Sequence, residues 1–304
     1  MIFPVDRYVL ASKRPNTQRS YASALKHFEQ HWGGLLPAST AQVAAYLAAY
    51  ADTLSPNTLQ VRLAALAQWH LAQGFIDPTK DPLIRQVLKG IRTLHPSQET
   101  QAEPLPLRAL ETCIAWLEAE SAQSVEVGDA GHLLRCQRDR ALILLGFWRA
   151  FRSEELCRLE VPFIQVRRDE GMTIFLPWSK ADRDNLGRTF STPALKRLCP
   201  VNAYLDWIST AGISDGPVFR GIDRWGRLSA QALHPYSIGH ILRHSLIRSG
   251  GEGELYSSHS LRRGFATWAS ASGWDQKSLM SYVGWRDAKS ALRYIEGRPD
   301  FSSL

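Results

Sequence analysis

The sequence predicts a mostly α-helical chain of two domains, with a small antiparallel β-sheet confined to the second. Three observations predict this. Apolar residues recur at helical spacing through the first third. A stretch with three prolines and no apolar periodicity follows, at residues 95–106. Residues 163–191 then switch to short runs of strand character before helical signals return. The 304 residues suffice for two domains of ordinary size, and 44% apolar content suffices for a core in each.

The elements follow in order. Asn16 or Thr17 caps a helix on which Tyr21, Leu25, Phe28 and Trp32 share a face, and Gly33-Gly34 ends it. Ser39 or Thr40 opens a second helix carrying Val43, Tyr46, Leu47 and Tyr50. Ser55-Pro56-Asn57 starts a third, with Leu59, Leu63, Leu66 and His70, closed by Gly74. Asp81-Pro82 begins a fourth that runs to about Leu94. On it Arg85, Lys89 and Arg92 fall at i, i+4 and i+7, a basic stripe that reads either as a solvated face or as a phosphate-facing one. Domain boundaries are set at 1–94, a linker at 95–106, and 107–304. Extended, that linker could span a duplex about 20 Å across.

Beyond the linker, helices are expected from about Leu107 to Ser121 and from Arg135 to Leu159. Phe163 to Arg168, Met172 to Pro177 and Arg188 to Ser191 read as strands, with Asp169-Glu170-Gly171 as a hairpin turn. From Cys199 onward the signals are helical, apart from a loop around Gly212 to Arg227.

Net charge is +7. Ten Lys and Arg against seven Asp and Glu fall in residues 1–106, leaving 26 against 22 beyond, so the excess is shared by both halves. That suits a nucleic-acid partner touched by both domains. The start has no charged segment followed by an apolar one, and no apolar run approaches a membrane span, so a cytoplasmic protein without a membrane partner is expected. Cys113, Cys136, Cys157 and Cys199 are widely spaced and read as buried thiols. His240 and His244 lack further ligands at a metal-site spacing, so no metal and no cofactor is expected.

Five residue types in the second half could converge on one phosphate. Arg152 and Glu155 stand at i, i+3, which alone fits a surface ion pair better than a site. His259 and Arg262 stand at i, i+3 behind Ser257 or Ser258 as a cap. Lys180 is the only lysine between Arg152 and Lys196. Gly284 ends a helix just before Trp285, and Tyr294 lies near the end of the sequence.

Taken in order, these residues resemble the tyrosine recombinase (phage integrase) family. Its first box, Gly-(apolar)-Arg-x-x-Glu-(apolar), is similar to Ala150 to Leu156. Its His-x-(apolar)-Arg matches His259 to Arg262, its Gly-His matches Gly284-Trp285, and its nucleophile matches Tyr294. Its hairpin lysine matches Lys180. Thr17, Tyr21, Leu25 and Phe28, then Ser55 to Thr58, match its helical core-binding domain. Two departures stand out. Ala150 replaces the usual glycine, a mild change if its backbone angles are ordinary. Trp285 replaces the second histidine, as in Cre-like members; its N–H can donate to phosphate but cannot act as a base.

The resemblance implies a two-domain DNA clamp, with a core-binding domain at 1–94 and a catalytic domain at 107–304. It implies a site-specific recombinase that works through a 3′-phosphotyrosine and a Holliday junction. Arg152, Lys180, His259, Arg262, Trp285 and Tyr294 would be catalytic, with Glu155 orienting His259. Arg85, Lys89, Arg92, Arg183 and Arg188 make up the candidate DNA-binding set. The implied partner is double-stranded DNA with inverted-repeat sites, bound by a homotetramer that is monomeric when free. The rival readings are relaxation of supercoils by a type IB topoisomerase and DNA binding without catalysis.

Overall fold

The computed structural model describes residues 8, 15–96, 101–167, 169–177 and 186–285. The chain divides into two compact units, residues 1–100 and 101–304.

The first unit is helical: α1 (Pro15–Lys26), α2 (Thr40–Ala49), α3 (Pro56–Ala72) and α4 (Pro82–Leu94). Local chemistry sets each start. The Ser39 hydroxyl accepts from the Gln42 N–H, while the Gln42 side chain accepts from the Ser39 N–H. Ser55 and Asp81 cap α3 and α4 by accepting from the Thr58 and Leu83 N–H groups, each followed by a proline whose missing N–H costs nothing there. The expected first helix changes pitch: α1 stops at Lys26, and His27–His31 forms a π-helical turn. Phe28, Tyr46, Leu47 and Leu59 fill the core with no exposed surface. His70 is buried among them. Its Nδ1 bonds the Leu66 carbonyl and its Nε2 accepts from the Ala38 N–H. On α4, Ile84 and Ile91 face inward while Arg85, Lys89 and Arg92 are exposed.

The second unit surrounds one buried helix. It contains α5 (Leu107–Val127), α6 (Ala130–Trp148), α7 (Ser153–Cys157), α8 (Pro200–Ala211), α9 (Pro235–Arg248), α10 (Ser258–Ala271) and α11 (Gln276–Val283). The apolar run Ala141 to Leu145 of α6 has no exposed surface at all. Among the described residues no helix is long and apolar enough to cross a membrane.

Strands β1 (Ile164–Arg167), β2 (Gly171–Leu176) and β3 (Arg188–Pro193) form an antiparallel sheet in that order, with Ile164 opposite Ile174 and Ile174 opposite Phe190. Met172, Ile174 and Leu176 alternate into the core, as a half-buried strand requires.

Three expectations need correction. The helix expected from Arg135 to Leu159 is two helices, broken at Ala150, which takes a left-handed φ of +52°. The loop expected around Gly212 to Arg227 contains β4 (Arg220–Ile222), which pairs antiparallel with β5 (Leu228–Ala232). These strands are short and irregular in register, so alternation could not reveal them. The end of the expected linker is also not free. Leu105 is buried and its N–H donates to the Ser260 carbonyl, while Gln101 accepts from Arg263.

Candidate active site

The break between α6 and α7 builds the site. Trp148 ends α6, Arg149 continues its hydrogen bonding, and Ala150 turns the chain left-handed. Arg152 thereby becomes the N-cap of the short helix α7 instead of a residue within a long one. Glu155 reaches back to it. One Glu155 carboxylate oxygen accepts from the Arg152 N–H at 2.8 Å, and the other from Arg152 Nη1 at 2.9 Å. Glu155 is buried, while the Arg152 side chain keeps 27% of its surface exposed. Glu155 therefore holds Arg152 at both its backbone and its guanidinium. These two bonds make Glu155 a positioning partner of Arg152 as well as the expected one of His259.

Helix α10 delivers the second arginine. The Ser257 hydroxyl accepts from the His259 N–H at 3.2 Å, and the Ser260 hydroxyl accepts from the Ser257 N–H at 3.0 Å. This fixes the first turn, with His259 exposed and Arg262 buried one turn deeper. Arg262 Nη1 donates to the carbonyl of Ala150. The left-handed residue thus points its oxygen at one arginine and starts the turn that presents the other.

Helix α11 brings Trp285. Gly284 caps it with φ +77°, and the N–H groups of Gly284 and Trp285 both donate to the Met280 carbonyl. This is the closure that a left-handed glycine permits. A Cβ at Gly284 would also lie 2.5 Å from Arg188 Nη1. The Trp285 ring centroid is 5.5 Å from the Arg262 guanidinium carbon. Arg262 thus meets both Trp285 and the turn that leads to Arg152, with His259 one turn from Arg262.

Arg188, expected to touch DNA, donates to the Ser281 carbonyl of α11 and lies 5.0 Å from the Phe190 ring. Its visible work is to tie β3 to α11. Lys180, Arg183 and Tyr294 lie outside the described residues.

The sequence reading missed Arg149 and Tyr282. Arg149 is 3% exposed and lies 3.9 Å from the Tyr282 ring centroid. Burial lowers the pKa of its guanidinium and neighbouring Arg188 adds to the fall, while Tyr282 and Glu155 act against it. Nothing in its place at the end of an apolar run pointed to burial. Cys113, Cys136, Cys157 and Cys199 are buried free thiols, as expected.

Residues 134–299 match the model of the phage integrase family. The chain is 30% identical over 294 residues to an integrase/recombinase XerD homologue of Selenomonas ruminantium, covering 94% of this chain and 82% of that protein. Its fold is similar to that of XerH site-specific recombinase bound to palindromic difH substrate (TM-score 0.63, 18% identity, 91% of this chain and 75% of the other). It is also similar to a Tn1549 transposon integrase in complex with transposon right end DNA (0.62, 16%, 96% and 92%). A lambda integrase dimer bound to a COC′ core site gives 0.59 at 16% identity, covering 97% and 95%. The chain belongs to the phage integrase family, the tyrosine recombinases.

Proposed function

We propose that this chain cuts and rejoins double-stranded DNA through a covalent link to Tyr294. It is a site-specific recombinase, and its chemistry is phosphoryl transfer. The Tyr294 phenol oxygen bonds the scissile phosphorus as the bond to the 5′ oxygen breaks. The products are a 3′-phosphotyrosine and a free 5′-hydroxyl. A 5′-hydroxyl from another strand reverses the step, so no external energy source is consumed. Arg152 and Arg262 hold the two non-bridging oxygens, where charge grows in the transition state. Lys180 protonates the leaving 5′ oxygen, and His259 receives the phenol proton. Trp285 takes the place of the family's second histidine and donates its indole N–H to the phosphate.

One observation carries this reading. Arg262 is bonded to the carbonyl of Ala150, two residues before Arg152, and Trp285 lies against Arg262. A guanidinium beside an indole N–H donor, tied to the turn that carries a second arginine, suits a phosphate diester. Residues 1–94 serve as the core-binding domain and 107–304 as the catalytic domain. Both contact the duplex, with Arg85, Lys89 and Arg92 against phosphates. The sites are inverted repeats, and a tetramer assembles on two of them from free monomers.

The test is covalent capture. Nicked duplexes of random sequence that trap the adduct should yield a specific site with the wild-type protein. Tyr294→Phe should bind that duplex and form no adduct; an adduct with this variant would remove Tyr294 from the role. Lys180→Ala should cleave slowly and recover when sulfur replaces the leaving oxygen. Failure to recover would remove Lys180 as the acid.

A further inference from the structure

We propose that Arg149 is a positioning residue whose guanidinium holds together the three segments bearing the catalytic groups. The inference rests on the function read above. Arg149 Nη2 donates to the Tyr282 carbonyl at 2.9 Å, in the last turn of α11, and Nη1 donates to the Ser191 carbonyl of β3 at 3.3 Å. Its backbone N–H donates to the Leu145 carbonyl at 3.0 Å, so it is fixed to the end of α6. Tyr282 returns the tie: its hydroxyl donates to the Trp148 carbonyl at 2.8 Å. The guanidinium carbon lies 3.9 Å from the Tyr282 ring centroid, 4.9 Å from that of Phe190 and 5.7 Å from that of Phe151.

Each contact leads to a functional group. Arg152 follows three residues after Arg149. Strand β3 closes the hairpin whose β2–β3 connection contains Lys180. Helix α11 hands the chain to Trp285 and onward to Tyr294. A buried cation is a poor way to gain stability, because desolvation offsets much of what its partners return. An apolar side chain would fill the space but leave two carbonyls unmatched. A lysine could sit over the ring but could not fork to carbonyls on two elements. The arrangement calls for a planar cation that fixes geometry.

The test uses the duplex captured by the wild-type protein. Arg149→Gln and Arg149→Lys are compared with wild type for affinity and for single-turnover cleavage. Two substrates are used: the natural phosphate, and the neutral methylphosphonate diastereomer that best restores Arg152→Ala. Arg149→Gln should bind within about threefold of wild type and cleave about 100-fold more slowly, the usual cost of a misplacement near 1 Å. Arg149→Lys should lose about tenfold. On the methylphosphonate both defects should shrink by about tenfold, because the oxygen that Arg152 must meet has gone. A general loss of packing would slow both substrates alike, and that result overturns the proposal. So does cleavage at the wild-type rate by Arg149→Lys, which decides the matter alone if Arg149→Gln shows no cooperative unfolding. Should the wild-type protein capture no duplex, the underlying function fails, and this inference with it.

Discussion

Arg262 donates to the carbonyl of Ala150, and that carbonyl is presented because Ala150 holds φ at +52°. The same turn ends α6 and makes Arg152 the N-cap of α7. One backbone conformation thus serves both arginines. Such a φ disfavours any residue with a Cβ, and Ala150 has no exposed surface to ease the crowding. The alanine is therefore a strained substitute for the family's glycine, because the condition for a mild change, ordinary backbone angles, is not met.

Ala150→Gly should relieve that strain. The left-handed penalty is about 1–2 kcal/mol, and glycine gives back about 0.5–1 kcal/mol through a freer unfolded chain. A net gain of about 0.5 kcal/mol is expected from these opposing effects. Ala150→Val should lose about 2 kcal/mol or more, since a β-branched side chain tolerates positive φ poorly. Denaturant unfolding measures both. Equal stability of the valine and alanine forms would contradict the assigned backbone.

Gly264→Ala should be costly for a different reason. A Cβ there would press into the Leu105 carbonyl oxygen and come within 2.8 Å of the Phe147 ring. Leu105 is itself bonded to Ser260, so the start of the second unit lies directly on α10. Backbone cannot move aside as a flexible side chain can. A loss of about 2–3 kcal/mol is expected, at the upper end for overpacking. Thermal unfolding and exchange of the Leu105 amide would show it. An unshifted melting temperature would count against the close approach.

Local chemistry decided what could be read in advance. The starts at Ser39, Ser55 and Asp81 were legible because a cap is a bond between near neighbours. The α6–α7 break was not, since nothing about alanine announces a left-handed residue. Arg152, Arg262 and Trp285 were proposed from their order along the chain, while the contacts of Arg262 with the Ala150 carbonyl and with Trp285 are tertiary facts. The bonds from Glu155 back to Arg152 depend on the α6–α7 break, so they too were hidden in the sequence. Arg149 stayed hidden because arginine at the end of an apolar helix ordinarily signals emergence into water. Here it turns inward onto Tyr282.

The first unit depends on His70. Its Nε2 accepts from the Ala38 N–H at 2.9 Å, so the ring proton sits on Nδ1 and is donated to the Leu66 carbonyl at 2.8 Å. The ring is 1% exposed and joins the loop before α2 to the body of α3. His70→Ala would strand a buried N–H and open a cavity. Together these should cost about 2–4 kcal/mol. Faster exchange of the Ala38 amide would accompany the loss. An unchanged exchange rate would show that the bridge does not form.

Alkaline pH should weaken the second unit before it touches the first. Burial pushes the thiols of Cys113, Cys136 and Cys157 up to about 12, from an ordinary value of 9.0. Burial also raises the Tyr204 hydroxyl to about 12, from 10.0. In the unfolded chain these groups release protons near their ordinary values, while the folded chain retains them. Their contribution is therefore complete below pH 9 and drains away as pH climbs toward 12. All four residues lie in the second unit, so its melting temperature should fall between pH 9 and 11 more steeply than that of the first. At pH 8 these three thiols should react slowly with a disulfide reagent in the native protein and promptly in urea, where thiolate forms freely. Rapid reaction of the native protein would mean the thiols are open to water. A melting temperature flat to pH 11 would mean that their protons are not held.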